Sequence, residues 1–538
     1  METNKNEEKM EGADTKRRSF VKGLIGLPVL GAFAAGALAK YQSDQAAKRQ
    51  ILDELNVEPA RPPATGPMAG DPIRVGIIGF GIRGEQLTRA LGFATPQWKA
   101  GMKERAMKNP KDTRLKDFLE QENLNVKITA VCDAFEVRRE LAQAAGTVDG
   151  QAPTIYQDYR KLLESPEVDA VVIGTPDHWH APMSLAAIAA GKHVYVEKCM
   201  THKVAETYAL YDAVKNSAIK FQLGHQHRQT QSFLTARDII EKNILGHISL
   251  IQTNTNRNDD NGAWQYHIHE KASPQTIDWE NFLGNAPKIP FNKEHFFRWR
   301  KWWEYGTGLT GDLLTHDYDR VNCLLNMGIP DAVVCSGGVY THRDGRTVPD
   351  VLQVVMEYED YYRGGSQESG KEKGMTFIYS ATLGNQFSRP TLLMGHDGTM
   401  ELGAQLTVYP DARSTRYEEM LQDQLVSTTT PMYAYNPASK GVDGVTGATA
   451  KYFADKGLMW TYRDGKRVDS TFLHMREWLS AIRNDHGVSC GIEEGFEEAM
   501  SAHMSTIAYR TGKRVEWDRE NRVIKNVTTE ELEAIGIA

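Results

Sequence analysis

The chain has 538 residues, 41% hydrophobic and 25% charged, with a formal net charge of -7. That length exceeds one ordinary domain, so two domains with insertions are expected. The charge is not basic enough to attract nucleic acid, and the five cysteines (Cys132, Cys199, Cys323, Cys335, Cys490) form no CxxC pair, so neither a disulfide framework nor a structural zinc site is indicated.

Residues 1–16 are polar and acidic; Lys16-Arg17-Arg18-Ser19-Phe20-Val21-Lys22 follows, then a small apolar run from Gly23 to Ala39. That run is too short to span a membrane comfortably, and Ala37-Leu38-Ala39 offers a small-residue cleavage site. Paired arginines with Phe two positions on resemble a twin-arginine export signal. An ordinary secretion signal and an uncleaved anchor are the alternatives. Twin-arginine export carries folded proteins, so a nucleotide could be loaded in the cytoplasm and leave already bound. The expectation is a signal over 1–40, a periplasmic protein with no membrane span after cleavage, and a Pro-rich linker over 41–71.

The first folded stretch is Ile73-Arg74-Val75-Gly76-Ile77-Ile78, a β-branched run ending in Gly79-x-Gly81-x-x-Gly84 and followed by a helical pattern from Gln86 to Phe93. A dinucleotide pyrophosphate needs this order of parts: glycines for the tight turn and the close approach, then free helix N–H groups for the anion. The loop Gly79, Phe80, Gly81, Ile82, Arg83, Gly84 is therefore the candidate cofactor cradle. Residues 94–122, charged and helix-prone, read as an insertion. Strands at 126–133, 170–173 and 193–196 alternate with helices at 135–145 and 180–190. Near-continuous apolar runs imply a parallel sheet covered on both faces, a doubly wound α/β domain over 72–200.

Asp133 ends the second strand, where a carboxylate holds the adenosine ribose and repels a 2′-phosphate. It lies much farther than the usual interval of about 20 residues from the glycines, which the insertion explains. NAD is favoured; Arg138 and Arg139 keep NADP open.

Beyond Thr201 the strands lengthen and alternate: 248–256, 332–340, 351–358 and 375–382. They suggest an α+β domain over 201–515 built on a largely antiparallel, one-face-covered sheet. Loop insertions are expected near 359–374 and 410–470, amphipathic helices at 472–483 and 493–510 that return to the first domain, and a C-terminal extension at 516–538.

Three groups of residues could carry chemistry. Thr175-Pro176-Asp177-His178-Trp179-His180 follows a buried strand at the rim where such sheets bind ligands. Glu197-Lys198 ends the next strand; burial and a nearby cationic ring would lower the lysine pKa and let it bind or accept a hydroxyl proton. In Gly311-Asp312-Leu313-Leu314-Thr315-His316, one helix would put Leu314, Tyr318, Val321 and Leu325 on an apolar stripe and Asp312 and His316 on another face. The carboxylate would orient an imidazole base whose pKa lies near working pH; an ordinary helical ion pair is the alternative. Tyr266, His267 and Arg298 sit in aromatic stretches that suit sugar rings and interdomain packing equally. The many histidines, His225 among them, show no metal-ligand spacing, so no metal is expected; His178 and His225 are grouped with the cofactor-lining set.

Together, Gly79-x-Gly81-x-x-Gly84, Thr175-Pro176 with His180, Glu197-Lys198 and Gly311-Asp312…His316 resemble the glucose–fructose oxidoreductase and inositol dehydrogenase (Gfo/Idh/MocA) family. The resemblance implies a Rossmann domain followed by a domain whose open sheet binds substrate or another subunit, hence a homo-oligomer. It puts Glu197 and Lys198 at a Glu-Lys-Pro motif, with Cys199 in place of the proline, and makes Asp312 and His316 the catalytic acid and histidine. The implied activity is hydride transfer between tightly bound NAD and a ring hydroxyl, most plausibly at C3, of a sugar or glycoside, with His316 taking the proton and Lys198 holding the oxygen. Redox glycoside cleavage is the second reading, and a non-catalytic sugar-binding protein that kept the nucleotide fold is the third.

Overall fold

The computed structural model describes residues 65–360, 373–403, 406–435, 460–463 and 466–538, with a few positions between 38 and 55. All of the expected export signal except residues 38–40, and the core of the 359–374 loop, lie outside the described residues.

The first sheet is built from β1 (Ile73–Ile78), β2 (Val126–Cys132), β3 (Thr154–Tyr156), β4 (Ala170–Ile173), β5 (His193–Val196) and β6 (Phe221–Leu223). All pairs are parallel, in the order β3-β2-β1-β4-β5-β6. Every residue of β4 is buried, as a sheet covered on both faces requires. The expected boundary at residue 200 falls short, because β6 lies beyond it. Helix Val204–Lys215 crosses over and returns the chain to this short strand, whose few residues leave little periodicity to read.

The insertion forms helices Pro96–Lys108 and Arg114–Leu119. Thr95 starts the first of them by accepting the Trp98 amide, with Pro96 at the position that needs no N–H.

The second sheet comprises β7 (Ile248–Asn256), β8 (Ala332–Gly338), β9 (Val351–Tyr358), β10 (Met375–Thr382), β11 (Thr391–Gly395), β12 (Gly398–Leu402), β13 (Leu406–Pro410) and β14 (Tyr433–Tyr435). Within the region expected to be loops, β15 (Trp460–Arg463) and β16 (Lys466–Asp469) pair as a hairpin. The stretch expected to be a C-terminal extension instead begins in β17 (Val515–Asp518) and β18 (Val523–Ile524), which complete the second sheet beside β8. The order is β14-β13-β12-β11-β7-β10-β9-β8-β17-β18, antiparallel except for the β7–β10 pair.

Strict alternation of burial along β10 marks a sheet with one covered face. Phe377 and Tyr379 of β10 pack there with Leu314, Tyr318, Val321 and Leu325, the predicted apolar stripe, and with Met500 and Met504 of helix Ile492–Thr511. Helix Ser470–Asn484 instead returns to the first domain, where Phe472, Met475, Trp478 and Leu479 join the core around Val75, Ile77 and Leu87. Helix Ile492–Thr511 also reaches the first domain, where Ile492 and Ala499 join a core with Phe221 and Leu223 of β6.

Candidate active site

The glycine loop follows from β1 by steric necessity. Gly79 has a positive φ of 87°, a conformation that strains other residues, and accepts no side chain because a Cβ would lie 2.8 Å from the Gly174 backbone. A Cβ on Gly84 would sit 2.0 Å from the Gly79 carbonyl oxygen, so only glycine lets helix Ile82–Ala90 start so close to the strand. At Gly81 an added Cβ would meet only the flexible head of Arg138, at 3.1 Å, so this position opens to the crevice. Thr175 also lines the crevice, and its hydroxyl oxygen is buried without a protein partner. A cradle closed to side chains, a helix N-terminus and an unsatisfied hydroxyl fit a dinucleotide.

Asp133 lies beneath this loop. Its carboxylate accepts the Phe80 amide at 2.7 Å and the Phe135 amide at 2.9 Å, and it lines the same cavity. Arg139 turns away to donate to the Asp133 carbonyl, whereas Arg138 stays on the cavity wall. Arg83 reaches across the crevice: it donates to Glu197 at 2.8 Å and to Gln226 at 2.9 Å. Glu197 is thus bound by an arginine of the glycine loop, a link the sequence does not announce because its ends are 114 positions apart.

One cavity of about 820 Å³ runs from the glycine loop to the second domain. The insertion contributes Trp98, Met102 and Arg105 to its wall; at the other end stand Lys198, Asp312, His316, Tyr266, His267, Arg257 and Arg300. Lys198 and His316 therefore share one cavity wall, beside the strand-end residues Thr175, Pro176, Trp179 and His180.

Asp312 is the hub of this end. Its carboxylate accepts Lys198 Nζ at 2.9 Å, Arg300 Nε at 3.1 Å and Trp264 Nε1 at 3.2 Å, while its carbonyl accepts Lys198 again at 2.7 Å. Burial opposes its charge, but Lys198 and Arg300 outweigh it and hold the carboxyl far below the usual range. For Lys198, burial favours the neutral amine, yet Asp312 and Asp177 dominate and raise its pKa. This corrects the expectation of a lowered lysine pKa: the ammonium persists because its counterion is buried with it.

Asp312 does not hold His316, contrary to expectation. The chain widens into a π turn at Thr310–Leu314 before the α-helix Thr315–Leu325, so the two residues are not one regular turn apart. His316 Nδ1 is buried without a hydrogen-bond partner, and the rings of His225 and His227 meet the imidazole edge-on at 5.7 and 5.4 Å. Burial, then Lys198, then His227 and His225 push its pKa well below the ordinary value, not near working pH. The imidazole is neutral and can accept a proton.

Two residues grouped with the cofactor, and one with the substrate, stand elsewhere. His178 is buried with Nε2 2.8 Å from the Phe282 carbonyl, which Trp179 Nε1 also meets at 2.9 Å. Burial holds its pKa at about 4, and it does not line the cavity. His225 lies behind His316, flanked by Asp319 at 3.6 Å and Glu498 at 3.8 Å. Arg298 turns outward to Glu294 and to the Tyr266 carbonyl, both at 2.8 Å. Arg300, two positions on, faces the cavity instead, because a tight 3₁₀ turn at Trp299–Lys301 separates the two directions. His180 is a structural clamp as well as a lining residue: its ring nitrogens lie 2.7 Å from the Cys199 carbonyl and 2.9 Å from that of Thr175. The Lys198–Cys199 peptide bond is cis. Among the described residues no group of three or more His, Cys, Asp or Glu side chains could hold a metal, and no helix is long and apolar enough to cross a membrane.

The sequence model described as "Oxidoreductase family, NAD-binding Rossmann fold" matches residues 73–225, and that described as "Oxidoreductase family, C-terminal alpha/beta domain" matches residues 237–517. Levoglucosan dehydrogenase of Pseudarthrobacter phenanthrenivorans is 27% identical over 281 residues, covering 47% of this chain and 65% of its own length. A glycosyl hydrolase family 109 protein of Streptomyces filamentosus is 32% identical over 200 residues, covering 35% of this chain and 33% of its own length. The chain thus spans less than two thirds of the length of these curated relatives. A solved levoglucosan dehydrogenase complexed with NADH and levoglucosan shares the fold, with a TM-score of 0.52 at 16% identity, covering 83% of this chain and 99% of that one.

Proposed function

The chain belongs to the Gfo/Idh/MocA oxidoreductase family, with its NAD-binding Rossmann domain and C-terminal α/β domain, and from that premise we propose that it moves hydride between NAD and a ring hydroxyl, at C3, of a sugar or glycoside. The observation that carries this reading is the continuity of one cavity from the Gly79–Gly84 cradle to Lys198, Asp312 and His316. The levoglucosan dehydrogenase relative supports a carbohydrate substrate.

The chemistry that NAD would supply, held at the Gly79–Gly84 cradle, is acceptance of a hydride from the carbinol carbon. The residues of this chain do the rest. His316, neutral, accepts the hydroxyl proton. The Lys198 ammonium donates a hydrogen bond to the same oxygen and stabilises charge that builds there. Asp312 is the positioning group: it fixes Lys198 and Arg300 at the wall and keeps both cationic. Gly79, Gly81 and Gly84 leave room for the pyrophosphate at the helix N-terminus. Asp133 beneath them suits a free ribose hydroxyl, which supports NAD over NADP.

The test is transfer of label. Purified protein with NAD and a sugar deuterated at C3 should yield deuterated cofactor, and His316→Ala should abolish the transfer while retaining NAD. A sugar that exchanges label from another carbon, or from none, refutes the assignment. The glycosyl hydrolase family 109 relative favours a second reading, in which the same oxidation is followed by loss of the glycosidic substituent, water addition and return of the hydride. Release of free sugar without net reduced cofactor separates it from simple dehydrogenation.

Export and assembly complete the proposal. Arg17-Arg18 with the apolar run to Ala39 supports twin-arginine delivery to the periplasm with NAD already bound. Arg17→Lys with Arg18→Lys should retain the protein in the cytoplasm. Val355, Ile378, Gln252 and Leu392 lie half-buried in one row across β9, β10, β7 and β11, on the face opposite the core; three of the four are apolar, which supports a homo-oligomer through that sheet. Light scattering of the purified chain should show a mass above 60.3 kDa.

A further inference from the structure

The substrate end of the cavity carries three permanent cations, Lys198, Arg257 and Arg300, against two carboxylates, Asp177 and Asp312. Asp177 is turned aside: one oxygen accepts both the Thr307 amide at 3.0 Å and the Thr307 hydroxyl at 2.7 Å. Asp312 is shared among Lys198, Arg300 and Trp264. Arg300 gives only its Nε to Asp312. Its guanidinium carbon lies 4.1 Å from the centroid of the Trp299 ring and 5.8 Å from that of Tyr266, so two aromatic rings flank the group. The two terminal nitrogens have no protein acceptor among the described residues, and the residue lines the cavity. A held guanidinium with an open two-nitrogen edge is a receptor for a planar oxyanion, which it binds through two parallel hydrogen bonds. Arg257, following β7 on the same wall, adds a second positive charge where water screens weakly.

We propose that Arg300, backed by Arg257, receives a carboxylate of the substrate, so that the sugar is an acid of the uronate kind rather than a neutral hexose. The inference rests on the sugar-oxidising reading above and narrows it. A neutral ring would offer the open guanidinium edge only hydroxyl acceptors, which bind a cation less strongly than an ionised oxygen does.

The test uses the full chain loaded with NAD and follows its tryptophan fluorescence, since Trp264 and Trp299 border the site. Matched pairs are titrated at low salt: D-glucose with D-glucuronate, D-galactose with D-galacturonate, D-mannose with D-mannuronate. In at least one pair the acid should bind about tenfold tighter or better, as a charge-assisted bidentate contact implies, and the advantage should shrink with added salt. Arg300→Gln should remove the advantage while NAD affinity, which reports an intact fold, stays unchanged. Arg257→Gln, which spares the Asp312 contact, should reduce it in part and serves if the first variant does not fold. Equal affinity within all three pairs, no saturation by any acid, or an advantage that survives Arg300→Gln overturns the proposal. Tighter binding of D-glucose 6-phosphate than of any acid overturns the carboxylate assignment. Label transfer from a neutral sugar as efficient as from its acid defeats this inference and leaves the dehydrogenase standing. Acid binding without label transfer from any sugar does the reverse.

Discussion

The two ends of the cavity are made of different material. At the cofactor end the working groups are main-chain amides, exposed because Gly79, Gly81 and Gly84 carry no side chain. At the substrate end they are side chains, Lys198, Asp312, His316, Arg257 and Arg300, brought from segments far apart in sequence. A backbone site is local and is written in consecutive residues. A side-chain site exists only after the domains close, and its properties belong to the assembly: Lys198 is cationic because of Asp312, and His316 is neutral because of burial and Lys198.

The largest effect expected from breaking this contrast is at the backbone end. Gly84→Ala forces a Cβ to within 2.0 Å of a main-chain oxygen, and no rotamer relieves a clash with backbone. The helix start must shift, at a cost of about 1–3 kcal/mol or more in stability, and its N–H groups lose their aim. Calorimetric titration should detect no NAD binding, and activity should vanish with it. Retained binding would mean that the loop is not the cradle.

At the side-chain end the cofactor should stay and the chemistry go. His316→Ala should lower kcat by about 10²–10⁴-fold, the usual worth of a positioned base, with the Kd for NAD little changed. Lys198→Ala should cost about 10²–10³-fold and should also loosen the wall, since Asp312 then keeps only Arg300 and Trp264. Loss of NAD affinity in either variant would erase the division between the ends.

Arg83 and Glu197 join the two materials, a loop residue paired to a strand-end carboxylate at 2.8 Å. Glu197→Gln leaves the Arg83 charge without its counterion in a largely enclosed place. The expected cost is about 3 kcal/mol of stability, read as a lowered melting temperature, with weaker NAD binding. Unchanged melting would show that the neutral acceptors Gln226, Gln86 and Thr471 suffice for Arg83.

The pH profile sharpens the same point with a smaller effect. A proton-accepting imidazole must be neutral. The pKa of His316 is lowered, so protonation sets in only well below the ordinary value near 6.5, and activity lost to that titration is lost there. Log kcat/KM should therefore stay level from pH 8 to pH 6, where a solvent-exposed histidine would already cost severalfold. On the alkaline side the raised Lys198 pKa keeps the ammonium in place beyond the usual lysine range. A midpoint near 6.5 would show that the bound complex restores an ordinary histidine.

The contrast also sets what could be read in advance. Residues 73–84 spelled out strand, turn and helix start in consecutive positions, and the apolar run at 170–173 announced a doubly covered strand. The alternation over 375–382 predicted β10 to the residue. The identities of Lys198, Asp312 and His316 came from resemblance to the family; their placement on one wall shows in the structure. Their partnerships did not show in the sequence, because a π turn at Thr310–Leu314 leaves no mark in residue periodicity and breaks the four-residue spacing. His178 and His225 were misplaced for a related reason. A histidine beside a site and one behind it have the same sequence neighbours, and only burial against Phe282 or Asp319 tells them apart.

The smallest predicted effect is the most discriminating for a side-chain site. Arg298 and Arg300 stand two positions apart in one aromatic stretch, and composition alone treats them alike. The 3₁₀ turn between them sends Arg298 to Glu294 and the Tyr266 carbonyl, and sends Arg300 to Asp312 at the cavity wall. Arg298→Gln removes a partly exposed i,i+4 ion pair, worth about 0.3–0.5 kcal/mol, and leaves all the Asp312 donors in place. Steady-state kinetics should show kcat and KM within about threefold of the parent, a change of under about 0.7 kcal/mol in the barrier. A loss as large as that in Lys198→Ala would mean that the Tyr266 carbonyl contact shapes the substrate wall, and that the side-chain end reaches one turn farther out than its cavity-lining residues indicate.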